Sequence, residues 1–392
     1  MTKTLGRSAA FTLVGIGAAS AAAHIGNNFT TYLIGGLMDR YDFSPTAMGA
    51  WSMAETLSYA AAMFLVAPRA RSMDARMLAV LASLVVTLAQ AGSAFTTAYP
   101  LLLLGRLGTG FGFGIMNSAV NLAAGRTAHP ARWISLGIAF QTVLFALVNI
   151  GLPIIGKDQG VTGMFMALAA LSAVLGLLAL LLPRGNGLAG TGAVQAPNRP
   201  IGAEGARVLG AMALFAFGTL AIWPFMERTA HAIGLPATQF GRYQSIATLL
   251  SALGNAGLAV VVKRLPRGWP LVAALGACGT ACGLLTTVSS EAAFAGALIA
   301  YNVSWFLTYP LLLGLAYGND DSGRLAVMTT GTWLLSQSAG SLVAGVIAQK
   351  FGGYTPIGPL GGIICVFAIV VALPAARRLD RLQAKLPVGG AA

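Results

Sequence analysis

Two ionisable side chains sit in stretches that otherwise carry no charge. Residues 100 to 121 read PLLLLGRLGTGFGFGIMNSAVN, with Arg106 as the single charge, and residues 47 to 68 read AMGAWSMAETLSYAAAMFLVAP, with Glu55 as the single charge. Both runs are long enough to cross a bilayer. A charge at mid-membrane costs about 2.5–3.5 kcal/mol even on insertion scales, so it is retained where it faces a cavity, a partner or a ligand. Counted at 1.5 Å per residue from Ala47 and Tyr99, Glu55 lies about 12 Å and Arg106 about 10 Å along helices that run in the same direction. The matched depth allows a pair. The chemistry such a pair can do is proton handling: burial favours the protonated acid, a neighbouring guanidinium favours the carboxylate, and alternating exposure to Arg106 loads and releases a proton. A purely structural ion pair has the same sequence signature.

Other polar side chains recur at helical spacing inside apolar runs. Ser20, His24, Asn27, Asn28 and Thr31 share a stripe in the first run, and His24 is the second candidate for carrying a proton, because imidazole titrates near neutrality. From Arg106, the positions Gly110, Phe113, Asn117 and Asn121 fall on one face and read as the lining of a polar path. Gln141, Phe145 and Asn149 form a third stripe. Asn302, Trp305 and Tyr309, with Tyr301 beside them, form a fourth, and Trp333, Ser336 and Gln337 follow in the next run. From these stripes we expect ligand contact at His24, Asn28, Arg106, Gln141, Asn302, Trp305 and Tyr309, and proton coupling at Glu55, His24 and Arg106. Trp223, Glu227 and Arg228 are expected near the outer surface, with Trp223 as an interfacial anchor.

Catalytic constellations are missing. The chain has no HExxH, no GxSxG, no paired deep carboxylates and no His and Cys at metal-ligand spacing. The glycines of GRLGTGFGFG lie inside an apolar run and lack the downstream acid of a dinucleotide fingerprint. Cys278, Cys282 and Cys365 all fall inside apolar runs and read as small packing residues. An enzyme, a cofactor and a bound metal are therefore not expected.

The elements that position these residues follow from composition. Of 392 residues, 56% are hydrophobic and 9% charged, which excludes an ordinary soluble surface. Twelve apolar segments stand out, at roughly 9 to 34, 47 to 68, 76 to 97, 99 to 123, 132 to 154, 161 to 183, 206 to 226, 238 to 262, 269 to 288, 291 to 316, 324 to 348 and 358 to 375. With the N-terminus inside, the inner loops and tails hold 18 of the 24 Lys and Arg, the outer loops hold five, and Arg106 is the last. That asymmetry makes the net charge of +13 a topology signal and not a nucleic-acid patch. Lys3, Arg7 and the Ala-rich stretch at Ala18 to Ala23 imitate a signal peptide, but the segment continues to Ile34 and the charge asymmetry needs it as the first helix.

The organisation expected is an N-terminal six-helix bundle over 1 to 183, a Gly- and Pro-rich cytoplasmic linker over 184 to 205, a C-terminal six-helix bundle over 206 to 376 and a basic cytoplasmic tail over 377 to 392. Phe43-Ser-Pro-Thr-Ala-Met-Gly49 is echoed by Leu235-Pro-Ala-Thr-Gln-Phe-Gly241, each opening the second helix of its half, and at the same offset Arg71 falls on Lys263. Such an echo is what parallel repeats leave. The fold class is thus an all-α membrane protein of twelve transmembrane helices in two pseudo-symmetric bundles.

Twelve helices in two halves, a central inner linker and an arginine followed by glycines on the fourth helix together resemble the major facilitator superfamily. Arg106, then Thr109 and Gly110 with Gly112 and Gly114, is similar to its helix 4 motif of Arg, two residues, Gln and Gly, Thr109 standing for Gln. The loop APRARSMDARM keeps from the family's pattern only basic residues such as Arg69, Arg71 and Arg76, with Asp74. The antiporter motif of helix 5 is represented by Gly151, Pro153 and Gly156. The resemblance implies two bundles rocking about a central site lined by helices 1, 4, 7 and 10, with the helix 4 arginine tuning a nearby protonatable group, here Glu55 or His24. It implies a proton-coupled secondary transporter of a small organic solute, monomeric, in the cytoplasmic membrane with both termini inside. A proton-driven multidrug or metabolite efflux antiporter is the alternative within the class, and a membrane-embedded sensor without transport activity the alternative outside it; the longest connection, the linker, is too short for the soluble module a sensor usually carries.

Overall fold

Each helix begins and ends where the sequence supplies a cap or a break. The structure is a computed structural model that describes residues 2–66, 73–127, 129–183, 201–262, 265–320 and 324–384. The first helix, α1 (Thr2–Tyr41), stops at Asp42, whose φ of 54° no regular helix can use. The hydroxyl of Ser44 then accepts the backbone N–H of Ala47 at 3.2 Å and opens α2 (Pro45–Val66), with proline where its missing N–H costs nothing. Asp74 caps α3 (Ala75–Ala94) by accepting from Arg76 and Met77. Pro100 sits in the first turn of α4 (Tyr99–Gly125).

The fifth and sixth expected spans form one element, α5 (Pro130–Ala179), interrupted at Gly160, where φ is 66° and ψ −165°. Only glycine adopts that conformation without strain, so the chain reverses there and α5 contains two passes. The seventh span corrects the expected continuous run over 206 to 226. It is α6 (Ala203–Leu220), a short 3-10 turn at Trp223–Phe225 and α7 (Met226–Ala232). Pro224, which has no N–H to give, sits at the break. The chain continues as α8 (Ala237–Val261), α9 (Gly268–Leu285), α10 (Glu291–Asn319), α11 (Arg324–Phe351) and α12 (Ile357–Ala384). Asp320 accepts the backbone N–H of Leu325 at the start of α11, at 2.8 Å.

Eight stretches of the described residues are long and apolar enough to cross a membrane, with both passes of α5 in one of them. The helices that fall short are α2, α4 and α11, which are diluted by glycine, serine, threonine and, in α2 and α4, by Glu55 and Arg106. Counted this way the fold is an all-α membrane protein of twelve passes in two bundles, and it contains no strand among the described residues.

Two compact units emerge from the packing. The first consists of α1 to α5 together with the start of α8 as far as Ser245, and the second of α6, α7, the rest of α8 and α9 to α12. In the first, α1 packs on α5 and α4, α2 on α4, and α3 on α4 and α5. The start of α8 joins it because the ring of Phe240 meets that of Tyr32 edge-on at 5.6 Å, and a Cβ at Gly241 would run into the carbonyl of Asn149. In the second unit α12 packs on α9 and α6, α10 on α9, and α11 on α6. Gly279 and Gly361 let α9 and α12 approach across Cys365 and Cys282, so the cysteines fill a packed seam. The Asp380 carboxylate accepts the N–H groups of Arg267 and Gly268 at 2.7 and 3.1 Å and fastens α12 to the start of α9. Expected features at Arg69, Arg71 and Lys263, most of the linker (184–200) and the end of the tail (385–392) lie outside the described residues.

Candidate functional site

The depth argument from sequence places Glu55 and Arg106 at one level, and the structure joins them. Arg106 Nη1 lies 2.7 Å from Glu55 Oε2, and both side chains are buried, at 1% and 3% exposure. Three helices build the pocket around the pair. On α2, Trp51 precedes Glu55 by one helical turn, so both project from one face. The indole ring lies under the guanidinium carbon at 3.8 Å, and its N–H donates to the Leu102 carbonyl at 3.0 Å, one turn before Arg106 on α4. The cation is thus held by a carboxylate and a ring face together.

From α1, the hydroxyl of Thr30 accepts from Arg106 Nη2 and donates its own hydrogen bond to the Gly26 carbonyl. On α4, the Thr109 hydroxyl reaches Glu55 Oε2 at 3.4 Å, so the residue that stands for the family's glutamine touches the acid. Close backbone approach makes this possible. A Cβ on Gly26 would come within 2.5 Å of Glu55 Oε2, and one on Gly110 would strike the Glu55 carbonyl and the Ser58 hydroxyl. Arg106 Nε finds no acceptor among the described residues. The guanidinium therefore engages the acid through one ion contact and not through a two-pronged fork.

The stripe on α4 divides at Phe113. Arg106, Gly110 and Phe113 are buried between helices, whereas Asn117 is partly exposed and Asn121 exposed. Arg106 is directed at Glu55, Thr30 and Trp51 and not at an open surface.

A second polar cluster runs along α1 and faces α5. His24 Nδ1 lies 2.8 Å from the Ser20 carbonyl; a carbonyl only accepts, so Nδ1 carries the hydrogen and Nε2 is left as the proton-accepting nitrogen. The Ser20 hydroxyl donates to Gln141 Oε1 at 2.8 Å. Asn28 donates to the His24 carbonyl, also at 2.8 Å. His24, Asn27, Asn28 and Gln141 are all partly exposed. One turn further, Tyr32 donates to Asn149 Oδ1 at 3.1 Å, and Phe29 meets Phe145 edge-on at 5.0 Å. Three of the expected contact residues are thus gathered at the α1 and α5 seam.

In the second unit, Trp305 and Tyr309 stack with rings 5.8 Å apart and 6° from parallel. Asn302 shares their helix but is buried, donating to the Leu298 carbonyl at 2.8 Å. Trp223, expected as an interfacial anchor, stacks on Tyr301 at 6.4 Å, and the Tyr301 hydroxyl donates to the Thr219 carbonyl at 2.8 Å. Glu227 and Arg228, expected near the surface, form a buried pair in which Arg228 Nε is 2.8 Å from Glu227 Oε2. Reading the sequence missed Trp51, Thr30 and Phe215 as partners of the charged and aromatic groups. The signal for Trp51 was its place one turn before Glu55.

No group of three or more His, Cys, Asp or Glu among the described residues has metal-binding geometry.

Comparison with known proteins agrees with this architecture. Among solved structures, a point variant of the nucleoside transporter NupG superposes with a TM-score of 0.74 at 14% identity, covering 94% of this chain and 99% of that one. A bacterial homologue of the human lysosomal transporter Spinster gives a TM-score of 0.74 at 14% identity, over 97% and 99% of the two chains. A D-xylose-proton symporter gives 0.69 at 14% identity, over 93% and 97%. At such identities the likeness is one of fold. The sequence profile described as Major Facilitator Superfamily matches residues 14–329, the stretch that holds the Glu55 and Arg106 pair and the α1 polar cluster together with the aromatic stack, and the chain belongs to that family of membrane transporters.

Proposed function

We propose that this protein is a proton-coupled secondary transporter of a small organic solute, working by alternating access as a monomer in the cytoplasmic membrane with both termini inside. The observation that carries the reading is the buried Glu55 and Arg106 pair, joined by one 2.7 Å ion contact with Trp51 against the cation. A buried ion pair is weak evidence for stability, because desolvation offsets most of the attraction. Parting the pair with no proton taken up would strand a buried charge. Once parted from its cation in a dry interior, a carboxylate takes up a proton in preference to remaining charged. Movement of α4 against α2 would therefore convert a conformational change into a proton bound or released at Glu55, while Thr109 and Thr30 hold the two partners in register.

His24 is the second proton site, with Nε2 free to accept. Solute contact falls to the partly exposed His24, Asn28 and Gln141 of the first unit and to Trp305 and Tyr309 of the second. Arg106 supports them as the counter-charge of Glu55, and Asn302 by bracing α10. The D-xylose-proton symporter among the similar structures supports proton coupling, and the nucleoside transporter supports a polar organic solute.

The experiment is proton flux in liposomes containing the purified protein and a pH-sensitive dye, with nucleosides, pentoses and organic anions added in turn. One or more solutes should move protons with them, and an imposed pH gradient should drive their accumulation. Solute transport with no proton movement and no response to the gradient would refute the coupling.

A further inference from the structure

We infer that the second unit contains a recognition box for a neutral, flat aromatic ligand bearing a hydrogen-bond acceptor, built from Phe215, Trp305, Tyr309 and Trp333. This deepens the transporter reading and rests on it for the ligand's identity as cargo. Phe215 of α6 stacks on Trp305 at 5.8 Å and 27°, and Trp305 continues the stack onto Tyr309 at 5.8 Å and 6°. Trp333 of α11 closes the side, its ring 6.2 Å from Trp305 and 5.4 Å from Tyr309, at 54° and 60°. Phe215 is fully buried, while Trp305, Tyr309 and Trp333 are partly exposed. The box thus has a closed end and an open end. Three nearly parallel rings favour a fourth flat ring in continuation, since offset stacking is the preferred aromatic geometry.

The polar atoms define the ligand further. The indole N–H groups of Trp305 and Trp333 are both hidden from solvent and meet no acceptor among the described residues. Buried indole N–H groups normally find a partner. Two in one aromatic cluster mark a place where an incoming acceptor, such as a ring nitrogen or carbonyl oxygen, makes good what the protein leaves unmade. The Tyr309 hydroxyl, 3.4 Å from that of Thr330, adds a polar rim.

Charge is distant along α10 and α11. On α10 no charged residue lies between Glu291 and Asp320, and on α11 none lies between Arg324 and Lys350, so Trp305 is about 20 Å and Trp333 about 13 Å along its helix from the nearest charge on that helix. Ring faces alone would welcome a cation. The two N–H dipoles oppose one, and an anion finds no counter-charge on these helices.

The test uses three aromatic probes built on the same fused pair of six-membered rings: neutral quinoxaline, cationic N-methylquinolinium and anionic naphthalene-2-sulfonate. Binding to the purified full-length protein is read by tryptophan fluorescence quenching and by the thermal midpoint. Quinoxaline should bind saturably and more tightly than either ion. Trp305→Phe and Trp333→Phe keep a ring and remove the N–H, and each should weaken quinoxaline roughly five- to tenfold; should Trp305→Phe fail to fold, Trp333→Phe carries the same expectation. Gly92→Ala, where an added Cβ meets nothing within 4 Å, should leave quinoxaline affinity unchanged. Tighter binding of either ion, no saturable binding, or unchanged affinity in both folded Phe variants would overturn the box. Proton-linked transport of another solute by a protein that fails this test would sink the box alone, whereas quinoxaline binding without proton-linked transport would sink the coupling and leave the box standing.

Discussion

Glu55 and Trp51 stand one turn apart on α2 and together hold the guanidinium of Arg106, the carboxylate at 2.7 Å and the indole ring at 3.8 Å. The sequence spacing that puts them on one helical face is therefore what makes a single arginine tolerable inside the first unit. The cation has a counter-charge, a ring face and a threonine hydroxyl, and each can be removed by itself.

Breaking the charge pair from one side leaves an uncompensated buried charge. Glu55→Leu and Arg106→Leu should each lower unfolding stability by about 3–5 kcal/mol, and the double variant should recover most of the loss. Chemical or thermal unfolding in detergent checks this as a double-mutant cycle. Additive losses would mean that the two groups do not depend on one another.

Trp51→Leu removes the ring face and leaves the Leu102 carbonyl without the indole donor. The cation–π contact contributes about 0.5–2 kcal/mol, so a loss of that order is expected with the pair still formed. Trp51→Phe should recover part of it, because a ring face is restored. Equal stability of the Leu and Phe variants would show that the ring face contributes nothing.

Gly110 sets how closely α4 approaches α2. A Cβ there meets the Glu55 carbonyl and the Ser58 hydroxyl, whereas one at Gly92 of α3 meets nothing within 4 Å. Gly110→Ala should destabilise the fold by about 1–3 kcal/mol through overpacking, while Gly92→Ala should be neutral or stabilising by up to about 1 kcal/mol, as alanine favours a helix. Thermal midpoints of the two variants decide it, and equal midpoints would contradict the packing.

His24 leaves Nε2 as its proton-accepting nitrogen because Nδ1 is committed to the Ser20 carbonyl. His24→Gln should flatten the pH dependence of the transport that remains, because an amide takes up no proton in that position. Initial transport rates measured from pH 5 to 8 provide the check. An unchanged pH profile would remove His24 from proton handling.

How far the sequence reaches is clearest at these positions. The level of Glu55 and Arg106 was legible because a helix advances by a fixed rise per residue, and the start of α2 and α4 is marked by Ser44-Pro45 and Pro100. The reversal in α5 was legible as the gap between residues 154 and 161, and Gly160 does the turning. The break in span seven was not read, because hydropathy runs unbroken through Ala221-Ile222-Trp223 and only Pro224 signals it. Trp51 and Phe215 escaped for a similar reason. An aromatic residue on a membrane helix has the same pattern whether it meets lipid, a cation or another ring, and which of these applies depends on the neighbouring helix. The buried state of Glu227 and Arg228 likewise depends on the short α7, which the sequence did not separate from α6.

The central claim is that Glu55 carries the coupled proton. The most direct measurement compares wild-type and Glu55→Gln protein in liposomes, following one solute that the wild type accumulates, first under an imposed pH gradient and then as exchange at equal pH on both sides. Glu55→Gln should lose gradient-driven accumulation while retaining exchange, because the neutral amide leaves the solute path intact and cannot bind or release a proton. Accumulation under the gradient at the wild-type level in Glu55→Gln would contradict it.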